Sequence, residues 1–147
     1  MRTLGVDLGK ARIGLALADE VLRTARPLET VRHVSAEADV ARIVALAREW
    51  EVTRAVVGLP LNMDGTEGPA ARHARAFAAR LEAAGLAAVL FDERLSTFEA
   101  EQRLRGQGVP GRTIRERVDA EAAAVILQGW LDAGPRPGEP GDGGQDP

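Results

Sequence analysis

The apolar pattern at the start of the chain limits the folds that the chain can adopt. Two β-rich runs, residues 3–8 and 12–19, are separated only by residues 9–11. A connection this short allows a tight hairpin, and it is too short for a crossover between parallel strands. Gly14, inside the second run, predicts a bulge or the close approach of another backbone. With residues 24–31 as a further strand, the chain is expected to begin with three antiparallel strands.

Helical and β-type segments alternate after this region. The short apolar run from Thr53 to Gly58, bounded by Pro60, is typical of a strand that crossover helices cover on both faces. The predicted elements are helix 35–50, capped by Ser35, strand 53–58, helix 69–84, strand 86–91, a helix from Ser96 to about Gly106, and helix 113–131. This order predicts an α/β fold: a mixed sheet of three antiparallel strands followed by parallel strands, with helices on both faces.

The composition predicts one domain that depends on its apolar core. The chain has 147 residues, 45% of them hydrophobic, and no cysteine, so disulfides and thiolate zinc sites are excluded. Residues 1–132 are expected to form the domain, and the Gly- and Pro-rich acidic segment 133–147 a disordered tail. The chain starts without a basic region that leads into an apolar stretch, and no apolar run is long enough to span a membrane. We therefore expect a cytoplasmic protein with no membrane partner.

The charged residues are distributed unevenly along the chain. A net charge of −3 argues against a protein that holds nucleic acid through overall basicity. However, a group of arginines precedes Asp119: Arg103, Arg105, Arg112, Arg115 and Arg117. This group predicts either a local phosphate-binding patch or a solvated helix surface, and the sequence favours neither.

Three acidic residues are expected to meet at one edge of the predicted sheet. Asp7 closes the first strand and Glu93 follows strand 86–91, and ligands of open sheets bind beyond the C-terminal ends of strands. Asp119 begins an apolar helical stripe that continues through Ala123, Ile126 and Trp130. Carboxylate oxygens are the ligands that Mg²⁺ and Mn²⁺ prefer, and such ions are used to cleave phosphodiesters. The three acids therefore predict the metal site of a nuclease.

Each acid also has a purely structural interpretation. Asp7 could accept hydrogen bonds from the turn that follows it, and Glu93 could pair with a nearby arginine. Asp119 could pair with Arg115, one helical turn earlier. Asp92 is adjacent to Glu93, and on an extended chain its side chain would point the other way, so its participation stays open.

Four blocks of the sequence resemble the YqgF, or RuvX-like, family. They are Gly5-Val6-Asp7-Leu8-Gly9 with Arg12-Ile13-Gly14, residues 57–66, Asp92-Glu93-Arg94-Leu95-Ser96-Thr97, and Val118-Asp119 with Ala122-Ala123 and Ile126-Leu127. The resemblance covers residues 2–131 and implies a ribonuclease H-like fold, related to that of the RuvC resolvases. It also implies one of two activities: processing of the 5′ end of pre-16S ribosomal RNA, or resolution of Holliday junctions.

The resemblance places Asp7, Glu93 and Asp119 at the family's acidic active-site positions, which makes them the expected catalytic and metal-binding residues. We expect Asp7 to bridge two Mg²⁺ or Mn²⁺ ions about 4 Å apart, with Glu93 and Asp119 each completing one ion. In the wider ribonuclease H pattern an acid follows the strand that here ends at Gly58, so Glu93 must replace it. The residues expected to bind substrate phosphate are Lys10, Arg94, Arg115, Gly65 and Thr66.

Two other classes of function fit part of the pattern. The glycine-rich turn after Asp7 also resembles the phosphate-binding hairpin of sugar kinases and actin-like ATPases, which close two such domains around a nucleotide. A binding module could keep the fold without catalysing cleavage. For the nuclease, RNA is the expected substrate and a DNA four-way junction the alternative. A resolvase needs two active sites, which would make it a homodimer.

Overall fold

The computed structural model describes residues 1–19, 21–96 and 114–134, with side chains from residue 118 onward in the last segment. The strands in these residues are β1 (Arg2–Leu8), β2 (Arg12–Asp19), β3 (Thr24–Arg32), β4 (Val52–Leu59) and β5 (Ala87–Asp92). The helices are α1 (Ala36–Glu49), α2 (Pro69–Ala83) and α3 (Ile114–Ala133), and a 3₁₀ turn, Glu93–Leu95, follows β5. The predicted helix after Ser96, the arginines at 103, 105 and 112, and the predicted tail beyond residue 134 lie outside the described residues.

The strands form one mixed sheet in the order β3-β2-β1-β4-β5. β1 pairs antiparallel with β2, and β2 antiparallel with β3. β1 and β4 are parallel, as are β4 and β5. The predicted sheet, with three antiparallel strands followed by parallel ones, is therefore confirmed. The parallel pairing places the C-terminal ends of β1, β4 and β5 at one edge.

Helices cover both faces of the sheet and bury two apolar cores. On one face, α1 and α2 contribute Ile43, Phe77 and Leu81 to the core. On the other face, α3 packs with Leu127 in the second core. Consecutive residues of β4 enter opposite cores, and all three from Ala55 to Val57 are 0% exposed. This confirms the prediction of a strand buried on both faces.

Local sequence signals set the ends of the helices. Ser35 caps α1, because its hydroxyl oxygen accepts a hydrogen bond from the N–H of Ala38 at 3.1 Å. α2 starts with a proline at its first position, Pro69, and the chain leaves it through Gly85, whose φ of 99° lies in the left-handed region. In the described part of the chain, no helix has both the length and the apolar character needed to cross a membrane.

Candidate active site

Asp7 lies at the centre of the acidic region because of its neighbours in the sheet. It pairs directly with Gly14 of β2. On the opposite side, β1 pairs with β4 in a parallel register that matches Val6 with Val57, which places Gly58 next to Asp7. Two glycines therefore flank Asp7, and neither adds a side chain of its own to the sheet surface beside it.

These glycines allow the other two acids to approach. A Cβ atom on Gly14 would lie only 2.0 Å from the backbone oxygen of Asp119, so the start of α3 rests directly on β2. A Cβ atom on Gly58 would lie 2.6 Å from Oε2 of Glu93. Of the two alternatives predicted at Gly14, a bulge or a close backbone approach, the structure shows the close approach, whereas the role of Gly58 was not predicted. Asp119 and Glu93 thus reach Asp7 from opposite sides.

The electrostatics of Asp7 and Glu93 show that negative charge accumulates here. The pKa of Asp7 is raised, first by burial and then by the charge of Asp119. The pKa of Glu93 is also raised, first by burial and then by the charges of Asp7 and Asp92. Burial and nearby like charges both disfavour the ionised form of a carboxyl group. The fold therefore holds acids together whose charges a cation would stabilise.

Asp119 has a partner that the sequence did not reveal. Nε of Arg12 donates a hydrogen bond to Oδ2 of Asp119 at 2.5 Å, and the two side chains are 35% and 25% exposed. The predicted alternative partner, Arg115, lies in α3, but its side chain is outside the described part of the chain. Because Arg12 and Asp119 are 107 positions apart, only the tertiary fold brings them together.

The acids surround one place without forming a closed ligand cluster. Among the described residues, no three His, Cys, Asp or Glu side chains are grouped so that they could hold a metal ion. Like charges repel one another, and one oxygen of Asp119 is bound to Arg12. The donors still suit Mg²⁺ or Mn²⁺ chemically, because they are carboxylates. A cation would also offset the like charges that help to raise the pKa of Asp7 and Glu93. Closing the cluster would require these side chains to move toward one another.

Asp92 and Arg94 form a separate, satisfied structure beside the acids. Asp92 accepts a hydrogen bond from the backbone N–H of Arg94 at 2.9 Å and pairs with its guanidinium at 2.7 Å. Nη1 of Arg94 also donates to the carbonyl oxygens of Asn62 and Met63, at 3.4 and 3.2 Å. Arg94 therefore fastens the loop after β4 to the end of β5. Its predicted role with substrate phosphate stays a prediction.

The loop between β4 and α2 contains Gly65 and Thr66, which are expected to bind substrate phosphate. In the structure, the N–H of Gly65 donates to the carbonyl of Asn62 at 2.8 Å. The N–H of Thr66 donates to the carboxylate of Asp64 at 3.0 Å. Both donors are used within the loop, so phosphate binding by Gly65 and Thr66 would require the loop to open.

A cleft of ≈ 610 Å³ opens at the same edge of the sheet. Glu93, Gly58 and the exposed Lys10 contribute to its lining, together with His33 and His73. Lys10 therefore lies in the same cleft as Glu93, and its role with substrate phosphate stays a prediction. Both histidines are exposed, and they share this cleft with Glu93, which no pattern in the sequence indicated.

Comparison with known proteins identifies relatives over most of the chain. A family model described as "RuvX: Holliday junction resolvase" matches residues 1–133. A relative from Anaeromyxobacter sp. (strain Fw109-5), named "Putative pre-16S rRNA nuclease", is 72% identical over 133 residues, which are 90% of this chain and 97% of the relative. A relative of the same name from Myxococcus xanthus is 49% identical over 134 residues, covering 90% of this chain and 89% of the relative.

Solved structures show the same fold at low sequence identity. The RuvC resolvase of Thermus thermophilus, solved with a Holliday junction substrate, gives a TM-score of 0.55 at 16% identity and covers 91% of this chain and 96% of its own. A fowlpox virus resolvase, solved with Holliday junction DNA, gives a TM-score of 0.53 at 9% identity, covering 90% and 98%. This likeness confirms the predicted RuvC-like, ribonuclease H-like architecture.

Proposed function

The chain belongs to the RuvX family, and from this premise we propose that it is a divalent-metal-dependent nuclease that cleaves phosphodiester bonds. We assign Asp7, Glu93 and Asp119 to holding the Mg²⁺ or Mn²⁺ ions. The central observation is the accumulation of carboxylates around Asp7, on a surface that Gly14 and Gly58 keep clear. A fold gains no stability from burying like charges, so this arrangement points to a cation and to function.

The proposed division of roles follows from position. Mg²⁺ or Mn²⁺, when bound, would supply positive charge that neutralises the phosphodiester and its leaving oxygen. Asp7 is the acid that both others approach, which suits it to contact more than one ion. Arg12 balances the charge of Asp119 in the protein alone, and Lys10 adds positive charge on the rim of the cleft, where the substrate backbone would pass.

The proposed substrate is the 5′ end of pre-16S ribosomal RNA, processed in the bacterial cytoplasm. This choice is supported by the names of relatives that share half or more of their residues with this chain. The alternative, a Holliday junction resolvase that acts on DNA, is supported by the description of the family model. Only the resolvase must act as a homodimer, because it cuts two strands symmetrically.

A cleavage assay with four substrates tests the proposal. The purified chain would be given a precursor rRNA 5′ end, single-stranded RNA, single-stranded DNA and a four-way DNA junction, first with Mg²⁺ and then with Mn²⁺. We expect cleavage of the precursor near the mature end and none in EDTA. Paired nicks confined to the junction would replace the RNA assignment with the resolvase. No cleavage of any substrate with either metal would contradict a nuclease.

A further inference from the structure

His33 is fixed in place by two contacts just beyond the end of β3. Its backbone N–H donates to the carbonyl oxygen of Ala11 at 2.9 Å, which ties it to the turn after Asp7. Its ring nitrogen Nδ1 lies 2.5 Å from Oδ2 of Asp39 in α1. An exposed histidine seldom needs protein partners for its ring, because water can form hydrogen bonds with both ring nitrogens. The side chain nevertheless remains 41% exposed.

Asp39 is built into the fold as the support of this ring. Its side chain is only 3% exposed. Its Oδ1 accepts a hydrogen bond from the N–H of Val34 at 3.0 Å, and its Oδ2 faces His33. The buried carboxylate of Asp39 thereby has both oxygens engaged, and it accepts the hydrogen on Nδ1 of the imidazole. Nε2 of His33, on the opposite side of the ring, accepts no hydrogen bond from the described residues.

The surroundings of His33 are suited to a polyanion. The ring lies between the ≈ 610 Å³ cleft, which also contains Lys10 and Glu93, and a second cleft of ≈ 400 Å³ lined in part by Arg12 and Arg32. Three cationic side chains therefore line the clefts that border the ring, in a chain whose net charge is −3, and Arg12 among them is paired with Asp119. An incoming phosphate would bring negative charge toward this cationic surface.

We propose that His33, as an imidazolium, donates a hydrogen bond from Nε2 to a phosphate oxygen of the substrate strand. Asp39 acts through it as a positioning residue. The proposal deepens the proposed nuclease function and rests on it, because it places the strand along the ridge between the two clefts, past Glu93. The contact reads the phosphate and not the sugar, so it should serve RNA and DNA equally.

The test measures binding without cleavage. Fluorescence anisotropy would record the affinity of the full chain, in EDTA, for single-stranded RNA and DNA of one sequence at several salt concentrations. The pH would be held constant at about 6. We expect His33→Gln to weaken binding of both strands about tenfold, since it loses a charge-assisted hydrogen bond. The salt dependence should fall by about 0.7 in logarithmic slope, the value of one phosphate contact on a single strand.

Variants of the same residue separate charge from structure. His33→Arg keeps a cation and should restore the affinity and the salt slope that His33→Gln loses. Asp39→Asn should weaken binding in the parent background and have no further effect when His33 is already Gln, because it acts only through that ring. Ser35→Ala removes a cap from the same junction without touching the ring, and its affinity should equal that of the parent.

Several results would overturn the proposal. Binding by His33→Gln with the parent's affinity and slope would remove His33 from the substrate path, as would a parent chain that binds neither strand. A loss confined to RNA would assign the contact to the 2′-hydroxyl. Equal losses in His33→Gln and His33→Arg would show that charge is not involved. The nuclease proposal is judged separately by the metal-dependent cleavage assay, so either proposal can fail while the other stands.

Discussion

Asp92 and Glu93 are adjacent in the chain, yet their surroundings shift their acidity in opposite directions. The pKa of Asp92 is lowered, chiefly by the hydrogen bond from the side chain of Arg94. The pKa of Glu93 is raised, chiefly by burial and then by the charge of Asp7. Asp92 thus has the guanidinium of Arg94 as its counter-charge, whereas the charges that act on Glu93 are those of other acids.

The same contrast separates two regions at this edge of the sheet. In the loop after β4, Asp64 and Glu67 have lowered pKa values because Thr66 and Arg75 donate hydrogen bonds to them. Around Asp7, by contrast, the acids lie close together, and burial and the charge of Asp119 raise the pKa of Asp7 with no hydrogen bond from the described residues to lower it. Satisfied charges maintain the shape of the loop, whereas unsatisfied charges indicate where a ligand is needed.

Removing the central carboxylate should have the largest effect. We predict that Asp7→Asn lowers the cleavage rate about a thousandfold, which corresponds to roughly 4 kcal/mol of transition-state stabilisation. The same substitution should stabilise the metal-free fold, by about 1 kcal/mol, because it removes a charge that burial and Asp119 disfavour. Single-turnover cleavage and urea unfolding in EDTA measure the two effects. Full activity in the variant would exclude Asp7 from the site.

Filling the space beside Asp7 should be nearly as damaging. Gly14→Ala places a Cβ atom 2.0 Å from the backbone oxygen of Asp119, which must move away. We expect a loss of about 3 kcal/mol in unfolding free energy and roughly a hundredfold in cleavage rate. Gly85→Ala is the control, since it strains a residue with a φ of 99° and meets no atom within 4 Å. It should reduce stability and leave the cleavage rate of the folded enzyme unchanged.

The adjacent pair of acids allows a matched comparison. Glu93→Gln should lower cleavage by roughly a hundredfold, an effect of about 2.7 kcal/mol, and leave the fold at least as stable. Asp92→Asn should keep cleavage near the parent rate and lower Tm by only about 2 °C, because its ion pair with Arg94 is partly solvated. Cleavage kinetics and thermal unfolding of the two variants measure these effects on activity and on stability. The opposite ranking of the two rates would reverse the roles assigned to these residues.

The smallest predicted effect is the dependence of stability on pH. The pKa of Asp7 lies above its ordinary value of 3.8. At pH values between 3.8 and the raised pKa, the folded protein therefore binds more protons than the unfolded chain. Unfolding free energy in EDTA should therefore fall as pH rises through this window, by about 1.4 kcal/mol for each unit of the shift, and then level off. Urea titrations at a series of pH values measure it. Asp7→Asn should flatten the fall, and an unchanged profile in that variant would contradict the assignment.

The sequence could predict the sheet and the meeting of its acids, because both depend on local patterns. Short connections dictate antiparallel pairing, and helices between strands dictate parallel pairing. These rules carry Asp7 and Glu93 to the same edge. Gly14 predicted either a bulge or the close approach of another backbone, but not that α3 supplies that backbone.

The partners of the side chains could not be predicted from the sequence, because they depend on tertiary packing. The sequence offered Arg115 as a partner for Asp119, whereas the fold pairs Asp119 with Arg12, which is 107 positions away. In the same way, the backbone donors expected from Gly65 and Thr66 are bound within their own loop. Local sequence patterns predict the course of the backbone. The partner of each side chain depends on which residues the complete fold brings close to it.

The most direct test of the central claim is to locate manganese in the protein. Crystals grown or soaked with Mn²⁺ would be examined by anomalous diffraction, at concentrations that support cleavage. We predict an anomalous peak with the Asp7 carboxylate as a ligand and Glu93 or Asp119 as a second. A structure without a peak at Asp7, in which Asp119 still accepts its hydrogen bond from Arg12, would contradict the assignment of these acids to a metal site.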